Sequence, residues 1–372
     1  MKLLIVSAAP FIFKDEKCFA YGPYVKELVI WRKYATEISV CCPVWKTQNG
    51  LLADEITFEI KKHYELIDFN LNNSVNSIKA FFYAFFNILI IFKAMYQADH
   101  IHLRCPGNIG LLGCLVQILF PGKPKTAKYA GNWDPKAKQP WSYRLQKWIL
   151  SNTFLTRNIQ VLVYGEWEGS TKNIKPFFTA TYTEADKLPV KILDLKRTIH
   201  FVFVGALVKG KNPLYAVQLV ESLSVKGYDV CLDLYGEGVE RKVLENYITA
   251  NGLEKYAELK GNQNQKAVAE AYQNSHFVIL PSKSEGWPKA IAEGMFWGCV
   301  PIATPVSCVP FMLDFGNRGL LLQMNLYQDI QQLEALINNE LEFVSKSKKA
   351  SAWSTKYTLD VFEEEMKKMI NK

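Results

Sequence analysis

Two glutamates lie on either side of a predicted helix start in the second half of the chain. Glu285 stands in the polar loop after the apolar run Phe277 to Leu280, and Glu293 lies about a turn and a half inside the helix that starts near Pro288. The start of a helix after a buried strand gathers backbone N–H groups and the positive end of the helix dipole, so a phosphate is its natural ligand. A carboxylate beside that phosphate can accept hydrogen bonds from sugar hydroxyls. The spacing therefore suits a site for two sugars joined by a diphosphate, although two solvated surface glutamates, the commonest situation for this residue type, would have the same spacing.

A lysine at another strand-to-helix junction suits the same ligand. Ile199 to Val204 is predicted as a buried strand, and Asn212-Pro213 predicts the start of the next helix. Lys211 stands in the loop between them, where a cation is well placed to hold phosphate. A solvated surface lysine is the alternative.

The elements that must position these residues alternate between strand and helix from the N-terminus onward. Lys2 to Ala8 is predicted as a buried strand, Ala9 to Pro23 as a loop, Tyr24 to Tyr34 as a helix and Ile38 to Cys42 as the next strand. This order is typical of a Rossmann-like unit. A second series of the same kind opens at Ile199, so two α/β domains are predicted.

The boundary between the two domains is predicted in the segment Thr183 to Arg197, which is polar and charged without strong periodicity. The predicted domains cover residues 1–190 and 198–353, and a C-terminal helix is predicted over residues 354–372. No G-x-G-x-x-G motif follows the first strand of either domain, which argues against an NAD-dependent oxidoreductase.

Two further predicted strands in the first domain end in polar or aromatic residues. Asp99 to Arg104 includes His102 and runs into a Pro-Gly loop, and the strand Lys125 to Tyr129 is followed by a loop with Trp133 and Asp134. Open α/β sheets bind ligands at the carboxyl ends of their strands. Arginine there suits phosphate or carboxylate, although a strand-end histidine and a loop arginine satisfied by backbone groups are the structural alternative.

Composition restricts the class of protein. The 372 residues are 49% hydrophobic and 22% charged, the balance of an ordinary soluble globular protein long enough for two cores. The net charge of +8 suits anionic substrates or membrane surfaces, whereas the lack of an Arg/Lys-rich block argues against nucleic acid as a partner. The eight cysteines form no C-x-x-C pair and no cluster with histidine, so reduced thiols in a cytoplasmic protein are expected, with no zinc site. Because Met1 leads directly into a strand, no signal peptide is predicted.

The most apolar segment of the sequence runs from Ala80 to Tyr96. Its uncharged part is too short to span a bilayer, so the pattern predicts a buried helix with Asn87 and Lys93 at its polar edge. Peripheral membrane contact through its aromatic residues is the alternative.

The stretch from Glu285 to Thr304, E-G-W-P-K-A-I-A-E-G-M-F-W-G-C-V-P-I-A-T, resembles the signature of retaining glycosyltransferase family 4, in which seven residues separate two glutamates. The resemblance is specific over Ile199 to Gln323 and rests on element order in the first domain. It implies the GT-B fold, an α/β architecture of two facing Rossmann-like domains with a C-terminal helix that returns to the first domain.

The resemblance also implies roles for residues at matching positions. Glu285 and Lys211 are implied to be catalytic, the first at the donor sugar or its phosphate and the second at the leaving diphosphate. Glu293 is implied to bind the ribose hydroxyls of the donor. The other implied donor-binding residues are Gly22, Gly205, Gly236, Gly261, Asn262, Gly286, Trp287, Lys289 and Ala290, and the implied acceptor-side residues are His102, Arg104, Trp133 and Asp134.

Two positions depart from the family's pattern. Ala206 stands where the family has an arginine that holds the diphosphate, and Ala130 stands where many members have a histidine near the donor sugar. The arginine's phosphate contact is therefore either missing or supplied by another cation, for which Lys209 and Lys289 are the candidates.

By this resemblance the chain is a hexosyltransferase-type enzyme that moves a sugar from a nucleotide-sugar to a glycan or lipid-linked glycan acceptor, with retention and without a metal or other cofactor. The lack of an Asp-x-Asp motif agrees with the last point. The expected setting is cell-envelope polysaccharide biosynthesis, in the cytoplasm or peripherally at the inner face of the membrane. Two alternatives remain, a nucleotide-sugar-binding GT-B protein that has lost transfer activity and a sugar-nucleotide epimerase.

Overall fold

The computed structural model describes residues 1–47, 52–69 and 74–370 of the chain. The chain divides into two compact units, the first formed by Met1–Phe177 with Glu363–Lys372 and the second by Phe178–Phe362. Each unit is built on a parallel β-sheet with helices in the connections, so the predicted α/β class is confirmed.

The first unit holds eleven strands and four helices among the described residues before Phe177. The strands are β1 (Lys2–Val6), β2 (Phe11–Lys14), β3 (Lys17–Tyr21), β4 (Glu37–Cys42), β5 (Val44–Trp45), β6 (Ala53–Glu55), β7 (Lys62–Glu65), β8 (His100–Cys105), β9 (Lys125–Tyr129), β10 (Ile159–Tyr164) and β11 (Ile174–Phe177), and the helices are α1 (Gly22–Tyr34), α2 (Ser74–Gln97), α3 (Asn108–Val116) and α4 (Trp141–Ser151).

The main sheet of the first unit has the order β11-β10-β9-β8-β1-β4-β7, with every neighbouring pair parallel. The chain starts in the middle of the sheet and the strand order reverses between β1 and β8. Strand β1 is apolar from Leu3 to Val6, and all five residues of β9 are buried, because both faces of such a sheet are covered.

The loop predicted from Ala9 to Pro23 is wrong, because this segment contains the antiparallel hairpin β2–β3. The hairpin joins β5 and β6 in a second sheet of order β5-β2-β3-β6. Phe11 and Ala20 are fully buried, which stabilises the hairpin on both sides of its charged turn. Helix α1 begins at Gly22, so this glycine is the first residue of a helix and does not lie in a loop.

The prediction that the segment Ala80 to Tyr96 is a buried helix is half wrong. Helix α2 forms, but seven large apolar side chains on it are between 41% and 73% exposed: Phe81, Phe82, Phe85, Phe86, Leu89, Phe92 and Tyr96. Asn87, predicted at the polar edge, is fully buried and pairs with the backbone N–H and C=O of Ile67. By length and composition Lys79–Gln97 could cross a membrane, and 28% of it is buried. A helix that is apolar all round does not reveal from its sequence which face will pack.

After Phe177 the described residues form six strands and eight α-helices, and the last helix passes from the second unit into the first at Glu363. The strands are β12 (Ile199–Val204), β13 (Val230–Tyr235), β14 (Ala257–Gly261), β15 (Phe277–Leu280), β16 (Val300–Ala303) and β17 (Leu320–Leu321), and the helices are α5 (Pro213–Val225), α6 (Arg241–Ala250), α7 (Gln265–Gln273), α8 (Lys289–Phe296), α9 (Val309–Met312), α10 (Leu326–Ile337), α11 (Glu340–Ser354) and α12 (Leu359–Ile370). The order β14-β13-β12-β15-β16-β17 is parallel throughout. It reverses between β12 and β15, as in a doubly wound Rossmann sheet.

The segment that was predicted as an interdomain linker packs instead on the second unit. The ring of Tyr182 lies 4.8 Å from the ring of Phe296, and Thr183 and Asp186 form a capping box at a short 3-10 turn. Val190 lies against Gly298, where an added Cβ would come within 2.7 Å of it. The second unit therefore starts at Phe178, before the predicted boundary at residue 190.

The predicted C-terminal helix is α12, which begins at Leu359 after α11 has ended at Ser354. From Glu363 onward it groups with the first unit. Glu363 accepts hydrogen bonds from Lys33 Nζ at 2.5 Å and from the Tyr34 hydroxyl at 3.0 Å.

Candidate active site

Lys211 and Glu285 meet where the strand order of the second sheet reverses. They lie in the loops after β12 and β15, which are neighbours in the sheet. Lys211 Nζ lies 2.5 Å from Glu285 Oε1. Open α/β sheets bind their ligands at the carboxyl ends of the strands at such a point. The sequence predicted the two residues separately, and the structure joins them in one ion pair.

The ion pair is partly withdrawn from water. The Glu285 side chain is 7% exposed and the Lys211 side chain is 29% exposed. The two loops are also joined through their backbones, because the N–H of Lys283 donates to the carbonyl of Gly210 at 2.8 Å. An ammonium group has three protons, so Lys211 can hold Glu285 and still donate to a second anionic acceptor.

Helix α8 begins directly after the Glu285 loop. Pro288 is its N-cap, and the Pro288 carbonyl accepts from the N–H groups of Ile291 and Ala292. The amide of Ala290, the second residue of the helix, therefore has no acceptor inside the helix. Gly286 is held in place from the other side, since its carbonyl accepts from Ser307 Oγ at 3.1 Å. The loop is thus fixed in a position where helix amides are offered to a ligand.

Trp287 does not present its ring to a ligand. It is 8% exposed and lies in an aromatic cluster with Trp353, at 6.0 Å between ring centroids, and with Tyr357, at 5.5 Å. Because the indole packs against α11, the predicted contact between Trp287 and a donor remains a prediction for its backbone groups alone. Packing of this size anchors the loop that carries Glu285.

Glu293 is held by two hydroxyl groups of the second unit. Its Oε1 accepts from Thr181 Oγ1 at 2.6 Å and its Oε2 from the Tyr272 hydroxyl at 3.4 Å. Burial and the nearby Glu293 raise the pKa of Tyr272 well above its ordinary value, so this hydroxyl stays a donor. Sequence reasoning missed both partners, which are 112 and 21 residues from Glu293 along the chain.

A cleft opens beside Glu293. It lies within the second unit, and Lys289 and Thr181 line it together with Glu293. A carboxylate, a lysine and a hydroxyl around one cleft suit a ligand that carries both hydroxyl groups and negative charge.

Three strand-end loops of the second sheet are in close backbone contact. The N–H of Gly205 donates to Tyr235 O at 2.9 Å, and the N–H of Gly236 donates to Gly261 O at 2.9 Å. A Cβ added to Gly236 would lie 2.0 Å from Gly205 O, and one added to Gly238 would lie 2.3 Å from Leu207 O. Only glycine permits this approach, so the structure brings the predicted donor-side glycines Gly205, Gly236 and Gly261 together.

The surface around these loops carries few side-chain cations. Ala206, at the position of the family's arginine, is exposed, as are Asn262, Lys209 and Lys283. Within the described residues, no ion pair involves Lys209 or Lys283. Lys283 was not predicted, although its place two residues before Glu285 was the available signal.

The predicted acceptor-side arginine is already paired inside the first unit. Arg104 forms an ion pair with Glu27, which also pairs with Lys128, and the Arg104 guanidinium lies 4.2 Å from the centre of the Tyr24 ring. Burial alone would raise the pKa of Glu27, but the charges of Lys128 and Arg104 outweigh it and lower that pKa to about 2. Arg104 therefore belongs to a buried ionic network. This role could not be predicted from the sequence, because its partner Glu27 is far from it along the chain.

His102 and Trp133 are structural residues of the first unit. His102 is 2% exposed, its Nδ1 lies 2.8 Å from Thr126 Oγ1, and burial and the charge of Arg104 lower its pKa well below the ordinary value. Trp133 is 5% exposed and its ring packs on Tyr129 at 4.8 Å. Both side chains are buried, so acceptor contacts by His102 and Trp133 remain predictions.

The two other predicted positions of the first unit lie at turns. Asp134 accepts the backbone N–H of Lys136 at 2.8 Å and so stabilises its own loop, while remaining partly exposed. A Cβ added to Gly22 would lie 2.6 Å from Asp54 Oδ2, so the nearby Asp54 side chain explains why a glycine is found at this position.

No group of three or more His, Cys, Asp or Glu side chains is placed to hold a metal ion in residues 1–47, 52–69 and 74–370. The thiols of Cys41, Cys105, Cys114 and Cys299 are all buried in this part of the chain.

Comparison with known proteins agrees with this geometry. Residues 186–355 match the family model described as glycosyl transferases group 1. The chain is 32% identical over 140 residues to an uncharacterized glycosyltransferase of Methanocaldococcus jannaschii, an alignment that covers 37% of this chain and 38% of that protein. It is 33% identical over 100 residues to the GtfA subunit of the UDP-N-acetylglucosamine–peptide N-acetylglucosaminyltransferase of Limosilactobacillus reuteri, covering 27% of this chain and 18% of that one. The chain thus spans less than half the length of these curated relatives.

Solved structures match over the full chain. Anabaena HepE in complex with UDP superposes with a TM-score of 0.70 at 12% identity, covering 100% of this chain and 99% of HepE. Sucrose-phosphate synthase of Thermosynechococcus elongatus superposes with a TM-score of 0.65 at 15% identity, covering 100% and 98%. At these identities the likeness shows the fold, which is GT-B as the sequence predicted.

Proposed function

We propose that the chain, whose residues 186–355 match the glycosyl transferases group 1 family model, transfers a hexose from a nucleotide-sugar donor with retention of the anomeric configuration and without a bound metal. The observation that carries this proposal is the Lys211–Glu285 pair at the reversal of the second sheet. A cation and a carboxylate at strand ends, in loops that lead to helices, suit a sugar diphosphate.

The proposed reaction breaks the bond between C1 of the donor sugar and the β-phosphate oxygen. An acceptor hydroxyl forms the new bond to C1 on the same face, and its proton passes to the departing phosphate oxygen. Negative charge grows on the diphosphate as the bond breaks, and the Lys211 ammonium and the Ala290 amide offset that charge. Glu285 keeps Lys211 in position and accepts a hydrogen bond from the donor sugar.

Glu293 is proposed to bind the ribose of the nucleotide. Its carboxylate now accepts from Thr181 and Tyr272. A ribose diol can replace the Thr181 hydroxyl as the hydrogen-bond donor to Glu293, because each offers a hydroxyl group. The Tyr272 hydroxyl continues to orient the carboxylate when the ribose is bound.

The choice of nucleotide and acceptor is proposed from the relatives. The HepE structures were solved with UDP and with UDP-glucose, and the GtfA subunit is named for UDP-N-acetylglucosamine, which favours a uridine nucleotide. A glycan or lipid-linked glycan of a cell-envelope polysaccharide is the proposed acceptor, and the cytoplasm or the inner face of the membrane is the proposed location. These last points rest on analogy of family.

A second candidate is a nucleotide-sugar-binding protein that performs no transfer. It is favoured by the exposed Ala206 in place of a phosphate-holding arginine. Donor binding without transfer or hydrolysis would support it.

The test is donor hydrolysis and transfer with UDP-glucose and UDP-N-acetylglucosamine in the presence of a metal chelator. We expect turnover that falls on the order of a hundredfold in Lys211→Met and is unchanged in Lys255→Met, which removes an exposed lysine two residues before β14. NMR of the product reads the anomeric configuration directly. Turnover that requires a divalent cation, or that survives in Lys211→Met, would contradict the proposal.

A further inference from the structure

The exposed face of α2 is more apolar than a water-facing helix can be without a partner. Seven large side chains on this face are between 41% and 73% exposed, and all but Leu89 are aromatic. At roughly 150–250 Å² for a full aromatic side chain, they expose on the order of 800 Å² together, above the largest apolar patch of a typical monomer. We name the seven residues Phe81, Phe82, Phe85, Phe86, Leu89, Phe92 and Tyr96 the α2 face.

The α2 face is a continuous surface along one side of the helix. Counting 3.6 residues per turn, its members fall on one arc of the helix, while Ala80, Asn87, Ile91, Ala94 and Met95 occupy the opposite arc and are buried. The buried arc packs on the sheet and on α3 of the first unit. Helix α3 and the turn after it expose Leu115 and Leu119, which adds apolar surface next to α2. The helix is therefore anchored to the protein along its full described length and presents its other side outward.

Charge at the edge of this surface is positive. Lys79 and Lys93 are exposed on α2, and the Lys123 ammonium donates to the Tyr96 carbonyl at the end of the helix. From residue 69 to residue 133 the sequence contains one acidic residue, Asp99. Aromatic rings with lysines beside them are the composition of helices that lie in a membrane interface, where the lysines contact anionic headgroups.

We propose that the α2 face docks the first unit on an anionic lipid bilayer, with the axis of the helix parallel to the membrane. The aromatic rings enter the boundary between headgroups and acyl chains, while Lys79, Lys93 and Lys123 contact the headgroups. A second copy of the chain is disfavoured as the occupant, because two chains of net charge +8 repel each other and an anionic membrane attracts both. Docking does not depend on sugar transfer, so vesicle binding and turnover test different statements.

The experiment is co-sedimentation of the full chain with vesicles of phosphatidylcholine alone and of phosphatidylcholine mixed with phosphatidylglycerol. We expect binding to the mixed vesicles that falls on the order of a hundredfold in Phe82→Ser/Phe85→Ser. Lys79→Gln and Lys93→Gln should each weaken it roughly fivefold. The matched control is Tyr327→Ser/Leu341→Ser, which removes side chains that are 72% and 86% exposed on the second unit and should leave binding unchanged.

Sedimentation velocity without vesicles tests whether a second copy of the chain covers the α2 face instead of a membrane. The proposal is overturned if the wild type binds neither vesicle, if Phe82→Ser/Phe85→Ser binds as the wild type does, or if the wild type is a dimer that this variant dissolves. Circular dichroism of the variants confirms that they fold, which is expected because the two phenylalanines are 57% and 55% exposed. If the double variant does not fold, the two lysine variants are the test. Binding of the mixed vesicles by these variants as tightly as by the wild type would overturn the proposal.

Discussion

Replacing Lys211 by methionine should lower stability and turnover for two separate reasons. The change keeps the length of the side chain and removes its charge, so Glu285 stays 7% exposed without its cation. Removal of one partner from a fully buried ion pair costs about 3–5 kcal/mol, and an exposed pair contributes up to about 1 kcal/mol. Lys211 is 29% exposed, so we expect an intermediate loss of about 2–3 kcal/mol in the free energy of unfolding.

Thermal unfolding followed by circular dichroism measures the first effect. For a unit of this size the loss corresponds to a decrease in Tm of roughly 4–10 °C. The double variant Lys211→Met/Glu285→Gln removes the unpaired charge as well, and it should regain at least half of the lost stability.

The kinetic effect should behave differently. Loss of one preorganised group that offsets charge on the leaving diphosphate lowers kcat/KM by about 10²–10³. The double variant should remain as inactive as Lys211→Met, because a neutral amide in place of the Glu285 carboxylate cannot restore the cation. Wild-type stability in Lys211→Met, or recovered turnover in the double variant, would refute the reasoning from the ion pair.

Three further variants test the structure of the two units. Gly238→Ala should weaken UDP binding by about tenfold or more in calorimetry, since its Cβ would lie 2.3 Å from a backbone oxygen, whereas Gly210→Ala, with nothing within 4 Å, should bind as the wild type does. Glu27→Gln should reduce the pH dependence of stability. The pKa of Glu27 is lowered to about 2, so its stabilising contribution is present above the ordinary value of 4.5 and is lost as the pH falls toward 2. Urea unfolding at several acidic pH values should therefore show a smaller decrease in the free energy of unfolding for the variant than for the wild type. Asn87→Ala should reduce the free energy of unfolding by about 1–3 kcal/mol in urea titrations, because both backbone groups of Ile67 lose their partner, and an unchanged value would contradict that role.

The strands that lead to the site could be predicted from the sequence with the bounds that the structure shows. They are Ile199–Val204 and Phe277–Leu280 of the second sheet. Strands of a parallel sheet are buried on both faces, so they form continuous apolar runs that end at polar loops. Glu285 and Lys211 could be placed at strand ends for the same reason.

The hairpin β2–β3 and the α2 face could not be predicted in the same way. The hairpin is short and its turn is charged, so the stretch from Phe11 to Tyr21 has the composition of a loop. Helix α2 is apolar on every side, so its sequence contains no periodicity that distinguishes the buried face from the exposed one. In both cases the packing of the rest of the fold decides which side chains are buried.

The contact partners of the predicted site residues could not be predicted from the sequence either. Arg104 meets Glu27 across 77 residues and Glu293 meets Thr181 across 112 residues. A pairing at that distance is fixed by topology and packing, which a single sequence does not show. Residue types therefore led to the Lys211–Glu285 pair of the second unit, but they did not show that Arg104 is paired and His102 buried in the first.

The central claim is that the second unit holds a nucleotide-sugar between Lys211 and Glu293. The most direct test is calorimetric titration of UDP, GDP and ADP into the wild type and into Glu293→Gln, without added metal. We predict binding of UDP by the wild type and an affinity loss of roughly tenfold or more in Glu293→Gln, because a neutral amide accepts more weakly from ribose hydroxyls. Failure of all three nucleotides to bind, or equal UDP affinity in the two proteins, would contradict the claim.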